Sequence, residues 1–294
     1  MAVITKYFLV LGVLSSLVGC ASRTVQVDRL LESQGQYQSQ VEIPDVPFIE
    51  QSAGHCGPAT LAMALAWAGK PVSVETLVPQ VYTPGMKGSL QTDMVSAARR
   101  QGMLAIPIKG FSNLMSELAA GNPVIVFENL SVSWLPQWHY AVVFGYDLKS
   151  QTVLMHSGPE ANKRWDLRKF ERSWELGEYW GLVVLSPGKL AASATELEQV
   201  RAAASLEQLG YLAEALTAYE GILKRWPESL PALIGKGNVT YAEKKYQVSL
   251  AALERATRLH PNSISAWNNL SVVQLALGLT KQSETSARAA QSLR

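Results

Sequence analysis

Cysteine is nearly absent from this chain: Cys20 and Cys56 are the two in 294 residues. That excludes a disulfide-stapled scaffold. Charge is sparse as well, at 17% of residues, with 26 basic against 24 acidic. A balance this close to neutral predicts no affinity for nucleic acid or acidic polymers. No glycine-rich phosphate loop is found. Cys56 and its neighbour His55 are too few to hold zinc, so neither a metal nor a cofactor is expected. Long apolar runs are missing too. The one stretch from Tyr7 to Val18 is too short to span a bilayer comfortably.

What is present begins with that stretch. Lys6 followed by Tyr7–Val18 reads as the charged and apolar parts of a secretory signal. It ends in Leu17-Val18-Gly19-Cys20, which resembles a bacterial lipobox. The resemblance implies cleavage before Cys20 and lipidation of that cysteine. Ala21, not Asp, follows. In a Gram-negative cell this implies a lipoprotein of the cell envelope, held at the outer membrane and facing the periplasm. Several acyl chains would anchor stably, at about 0.8 kcal/mol per buried CH₂. Loss of residues 1–19 leaves 25 basic and 24 acidic residues.

The remaining 275 residues suffice for two domains. Residues 20–40 are polar and rich in Ser and Gln, and read as a tether. Residues 41–187 mix helix and strand signals. Pro58–Gly69 is apolar nearly all round, as a buried helix would be, with Pro at its start and Gly at its stop. Helices are expected again over 90–102 and 111–120. Strands follow at 123–127, 139–144, 152–155 and 180–185. Helices first and an antiparallel sheet afterwards make an α+β domain.

Ser186-Pro187-Gly188 closes that domain, and 188–195 reads as a linker. Beyond it the composition turns to Ala, Leu, Glu and Gln. Trp226-Pro227-Glu228-Ser229 recurs as His260-Pro261-Asn262-Ser263, with the prolines 34 residues apart. That is the tetratricopeptide-repeat period. Ala203, Ala215, Tyr219, Leu233, Gly237, Ala256, Trp267, Leu270 and Ala290 fall where close helix crossings want small or large apolar residues. Ser249, Ser283 and Lys236 depart from the pattern. Three repeats over 196–294 are expected, an all-α array suited to binding a protein partner.

Cys56 lies where the buried helix begins, in Gln51-Ser52-Ala53-Gly54-His55-Cys56-Gly57-Pro58. A helix N-terminus favours a thiolate, and a nearby imidazole lowers the thiol pKa further. The helix-start N–H and the Gln51 amide are candidate oxyanion donors, one of which is worth about 3 kcal/mol elsewhere. Among histidines, His139 opens an apolar strand beside Trp138 and is the expected base. His55 adjoins the cysteine and should point away, and His260 lies in the repeats. Asp147 is eight residues from His139, over about 20 Å along a strand. The returning strand brings 156–158 back instead. The group orienting His139 is therefore Ser157, His156 or a backbone carbonyl, with Asp166 and Asn162 able to fold back. Trp134, Trp138 and Asn129 are candidates for the cleft wall. Lys163-Arg164, Arg99-Arg100 and Lys244-Lys245 read as solvated faces.

Gln51-x4-Cys56-Gly57-Pro58-Ala59, the apolar helix, Pro123-Val124-Ile125-Val126 and His139-Tyr140-Ala141-Val142-Val143-Phe144-Gly145-Tyr146-Asp147 resemble the papain-like peptidases that remove double-glycine leaders from bacteriocins. The resemblance covers residues 45 to about 160. It implies a papain-like fold with Cys56 as nucleophile, His139 as base and Gln51 as oxyanion donor, acting on a peptide or protein substrate. Where the family has Asp-Pro, this chain has His156-Ser157-Gly158-Pro159, so the usual acid is missing. Two readings follow. One is an envelope-anchored cysteine peptidase, whose thiol chemistry could equally serve acyl transfer. The other is a peptidase-like adaptor with little or no catalysis.

Overall fold

The computed structural model describes residues 24–51 and 54–294. Its first part is built on one antiparallel sheet. The strands are β1 (Gln40–Glu42), β4 (Leu104–Lys109), β5 (Val124–Asn129), β6 (Trp138–Asp147), β7 (Thr152–Ser157), β8 (Glu160–Asp166) and β9 (Trp180–Leu185). The order is β4-β9-β5-β6-β7-β8, and β1 pairs with the far end of β6. A two-stranded ribbon, β2 (Tyr82–Thr83) with β3 (Gly88–Ser89), stands apart.

Successive strand residues face opposite sides, so the sheet carries two cores. On one side lie α2 (Cys56–Trp67), α3 (Val74–Val81) and α4 (Gln91–Arg100), packed on Ile125, Tyr140, Val142, Leu182 and Val184. Helix α2 is buried along most of its length, as its uniformly apolar sequence requires. On the other side lie α1 (Val25–Glu32), α5 (Phe111–Ala119) and α6 (Leu167–Leu176), packed on Val124, Val126, Ala141, Val143 and Val183. The α+β expectation holds.

Residues 24–40 are not a loose tether. Val27 and Leu30 of α1 are buried in the second core, one helical turn apart on a single face. The Glu171 carboxylate accepts the N–H groups of Gln26 and Val27, satisfying two orphan donors at the helix start. Two buried apolar positions dock it together with polar ties, among them Gln26 Oε1 accepting Phe111 N–H and Arg168 donating to Thr24 Oγ1. The lipidation candidate Cys20 and the proposed cleavage site lie outside the described residues. Two sheet edges also escaped the sequence patterns. Strand β4 carries Pro107, tolerated because β4 pairs on one side alone. Strand β8 is charged, as edge strands commonly are.

Six further helices form three antiparallel pairs: α7 (Glu196–Gln208) with α8 (Leu212–Arg225), α9 (Leu230–Ala242) with α10 (Tyr246–Leu259), and α11 (Ile264–Ala276) with α12 (Thr280–Ser292). Ser229 and Ser263, which follow the repeated prolines, cap α9 and α11 through their hydroxyls. The small-residue positions make close crossings. A Cβ on Gly237 would lie 2.7 Å from Leu253, and one on Gly235, which the sequence pattern did not single out, 2.2 Å from the Tyr219 ring. Departures from the pattern are accommodated: the Ser249 and Ser283 hydroxyls donate to the carbonyls of Gly237 and Ser271, and Lys236 pairs with Glu220 at 2.8 Å.

The repeats are continuous with the first part. Val200, Ala203, Leu206, Ala215 and Tyr219 belong to the same core cluster as Val124 and Leu185. Segment 188–195 is tied down rather than slack. Buried Glu117 accepts Ser193 N–H at 2.7 Å and Ser193 Oγ–H at 2.6 Å, and Gln199 donates to Ala191 O.

Candidate active site

Cys56 is the first residue of α2 and the one free cysteine among the described residues. Gly57 must be glycine, since a Cβ there would sit 2.3 Å from Ser89 Oγ. Cys56 and His139 line a single cleft of about 520 Å³. Ser89, Leu90, Met86, Phe127, Trp138 and Tyr140 form much of its wall. The aromatic side is built by Phe127, which stacks on Trp138 with centroids 5.0 Å apart and meets Tyr140 tilted at 4.8 Å. Tyr140 Oη donates to Ser89 O, joining β6 to β3 across the cleft. Met86 (63% exposed) and Trp138 (49%) leave that wall apolar and open to solvent.

Sheet register sets the surroundings of His139. Ala141 faces Ser157, so His139 and Ser157 share a face. His139 Nε2 lies 3.1 Å from Ser157 Oγ. His156 points to the opposite face, as alternation demands. Its Nε2 donates to Val46 O, its Nδ1 accepts Asn162 N–H, and its ring packs on Phe48 and Phe144. It holds the chain together and does not orient His139. Asp166 does not fold back either: it caps α6, accepting the N–H groups of Arg168 and Lys169.

The other candidates separate clearly. Both amide atoms of Gln51 are buried without a hydrogen-bond partner among the described residues, and Gln51 is not among the cleft-lining residues. His55 packs edge-on to Tyr82, 5.1 Å between centroids. His260 Nε2 lies 2.6 Å from Glu228 O in the repeats. Buried Asn129 organises the 130–137 loop: its Oδ1 accepts the N–H groups of Ser131 and Gln137. Trp134 is 82% exposed and lies outside the cleft lining.

The electrostatics differ from the expected thiolate. Burial pushes the Cys56 thiol up, and the backbone N–H groups of Tyr140, Gly57 and Cys56 offset this only in part. Burial also holds His139 down, to about 4, with the Lys163 charge adding to the effect. The resting pair at neutral pH is therefore a neutral thiol and a neutral imidazole. Lys163 is not merely a solvated cation. It pairs with Glu160 at 2.8 Å, lies over the Trp165 ring, and its charge acts on His139 and Glu128.

Glu128 was missed in the sequence. Val124, Val126 and Glu128 alternate onto one face of β5, so an acid at the third core position was the available signal. It is fully buried, and burial raises its carboxyl to about 7.

No group of three or more His, Cys, Asp or Glu able to hold a metal occurs among the described residues. No helix of the described residues is long and apolar enough to cross a membrane.

Residues 43–179 match the Peptidase_C39 like family, and residues 200–264 and 236–293 match the tetratricopeptide repeat. Residues 43–179 thus form a mixed sheet-and-helix domain that matches this family model, and an all-helical tetratricopeptide-repeat region follows it. Among solved structures, it is similar to a C39-like peptidase from Bacillus anthracis, at 18% identity and TM-score 0.44, over 52% of this chain and 100% of that one. The repeats are similar to the TPR2B domain of yeast Sti1 in complex with pHsp70, at 18% identity and TM-score 0.33, over 34% of this chain and 81% of that one. They are also similar to MamA from Desulfovibrio magneticus RS-1, at 18% identity and TM-score 0.32, over 33% of this chain and 55% of that one. No curated protein matches the chain.

Proposed function

We propose that the chain is a cysteine peptidase that cleaves a peptide or protein substrate in the Cys56 cleft, with the repeats docking the substrate or a partner. The observation that carries this reading is the joint placement of Cys56 and His139 on one cleft while Ser157 engages His139 Nε2. Nδ1 is then the ring nitrogen left to take the thiol proton. With both groups neutral at rest, deprotonation accompanies attack. Sγ bonds to the scissile carbonyl carbon as its proton moves to Nδ1, His139 returns that proton to the leaving amine as the C–N bond breaks, and water, deprotonated by His139, then hydrolyses the Cys56 thioester and restores the thiol. The helix-start N–H groups supply oxyanion donors, and the buried Gln51 amide, outside the cleft lining, is the candidate for a further one. The exposed apolar wall of Met86, Leu90 and Trp138 suits a substrate with apolar side chains. Attachment at Cys20 would hold this activity at the cell envelope, and a Cys20→Ser chain recovered in the soluble fraction would support that placement.

The test is a peptide library analysed by mass spectrometry, with Cys56→Ser and His139→Ala alongside. Cleavage that disappears in both variants supports the reading. Cleavage surviving Cys56→Ser, or none in the wild type, refutes it. A peptidase-like adaptor is the second reading, favoured by the raised thiol and the serine where the family's acid would stand.

A further inference from the structure

A base that must accept a proton at Nδ1 needs its other nitrogen protonated. Serine does not enforce this. A hydroxyl either donates or accepts, so Ser157 is compatible with both imidazole tautomers. In peptidases of this type a carboxylate usually makes the choice. At the Ser157 position this chain has none.

The strand on the other side of His139 supplies one. In the β5–β6 ladder Glu128 is the direct partner of His139. Directly opposed residues share a face, with Cβ atoms about 5 Å apart. Glu128 and His139 therefore face each other directly, and Ser157 lies on the same face one diagonal step away, opposite Ala141. Glu128 is fully buried, and its Oε1 has no hydrogen-bond partner among the described residues. Its Oε2 lies 2.8 Å from Ser173 Oγ on α6. The same Ser173 hydroxyl lies 2.9 Å from Phe170 O. One hydroxyl proton cannot fully serve both acceptors. A protonated Glu128 donating to Ser173 satisfies both, so the site holds this carboxyl between its two charge states. The charge acting on it is Lys163 on β8, and the titratable group directly facing it is His139 across the ladder.

A buried carboxyl with one oxygen left unpartnered costs stability. Resting on the peptidase reading above, we propose that Glu128 is the acidic positioning residue of His139, replacing from β5 the acid that is absent at Ser157. It forms and breaks no covalent bond. Its ionised form favours the imidazolium produced when His139 takes the Cys56 proton.

The test is NMR titration of the ¹³C,¹⁵N-histidine-labelled chain described here, from pH 4 to 9, with His139 assigned through His139→Gln. Wild-type His139 ring signals should show an inflection near neutral pH that reports Glu128 ionisation. Glu128→Gln should abolish it and Glu128→Asp should restore it. With a cleaved peptide in hand, Glu128→Gln should lower kcat roughly tenfold or more and leave KM unchanged, a smaller loss than for a triad lacking its acid outright. A His139 profile identical in wild type and Glu128→Gln overturns the inference, and does so even if Cys56-dependent cleavage is intact. An inflection that follows Glu128 in a chain that cleaves nothing supports the positioning role and counts against the peptidase reading alone.

Discussion

The most consequential prediction concerns the resting charge of Cys56. A thiol of pKa ~8.5 is about 3% thiolate at pH 7. Burial raises Cys56 above its ordinary value, so its thiolate fraction is smaller still. His139, held near 4, is uncharged at pH 7 and offers the thiolate no counter-charge. The perturbation is pH, and the assay is the rate of carboxamidomethylation of Cys56 by iodoacetamide, read by mass spectrometry in wild type and His139→Ala. Because the thiolate is the nucleophile, the wild-type rate should climb about tenfold per pH unit from 6 to 8, without a plateau. His139→Ala should change it by no more than about twofold, since no ion pair is lost. The sign is unambiguous: burial disfavours the anion, so reactivity belongs to the alkaline side. A plateau extending below pH 6 that vanishes in His139→Ala would mean a preformed thiolate–imidazolium pair, and the neutral-pair mechanism would be wrong.

Two further outcomes test the packing of the repeats and of the segment that leads into them. Glu117→Ala removes the acceptor of Ser193 N–H, Ser193 Oγ–H and Asn122 Nδ2–H. Leaving buried donors unsatisfied costs about 1–3 kcal/mol each, so limited proteolysis should newly cut within 186–195; an unchanged fragment pattern would show that this clamp is dispensable. Gly235→Ala places a methyl 2.2 Å from the Tyr219 ring and should lower stability by about 1–3 kcal/mol, seen as a lower denaturation midpoint, whereas an unchanged midpoint would mean the crossing relaxes freely.

Much of this architecture was readable before any coordinates. The 34-residue spacing of Pro227 and Pro261 announced the repeats, and the apolar stretch after Cys56 became the buried helix α2. Periodic patterns of this kind report local burial, which each segment carries in its own residues. Segments whose burial comes from elsewhere were harder to read. Helix α1 docks on two apolar residues and an acid 144 positions away, and charged β8 is a strand because β7 offers it a ladder.

At the site the division is sharper. Sequence by itself placed a thiol at a helix start and brought 156–158 back beside His139. Only tertiary structure chose Ser157 over His156, because a strand's two faces are distinguished by what packs against them. Only tertiary structure set Glu128 opposite His139, because register between strands is a long-range property. The charge state of Cys56 follows the same rule. A helix N-terminus, legible in sequence, favours the thiolate. Burial, which many distant residues produce together, outweighs it.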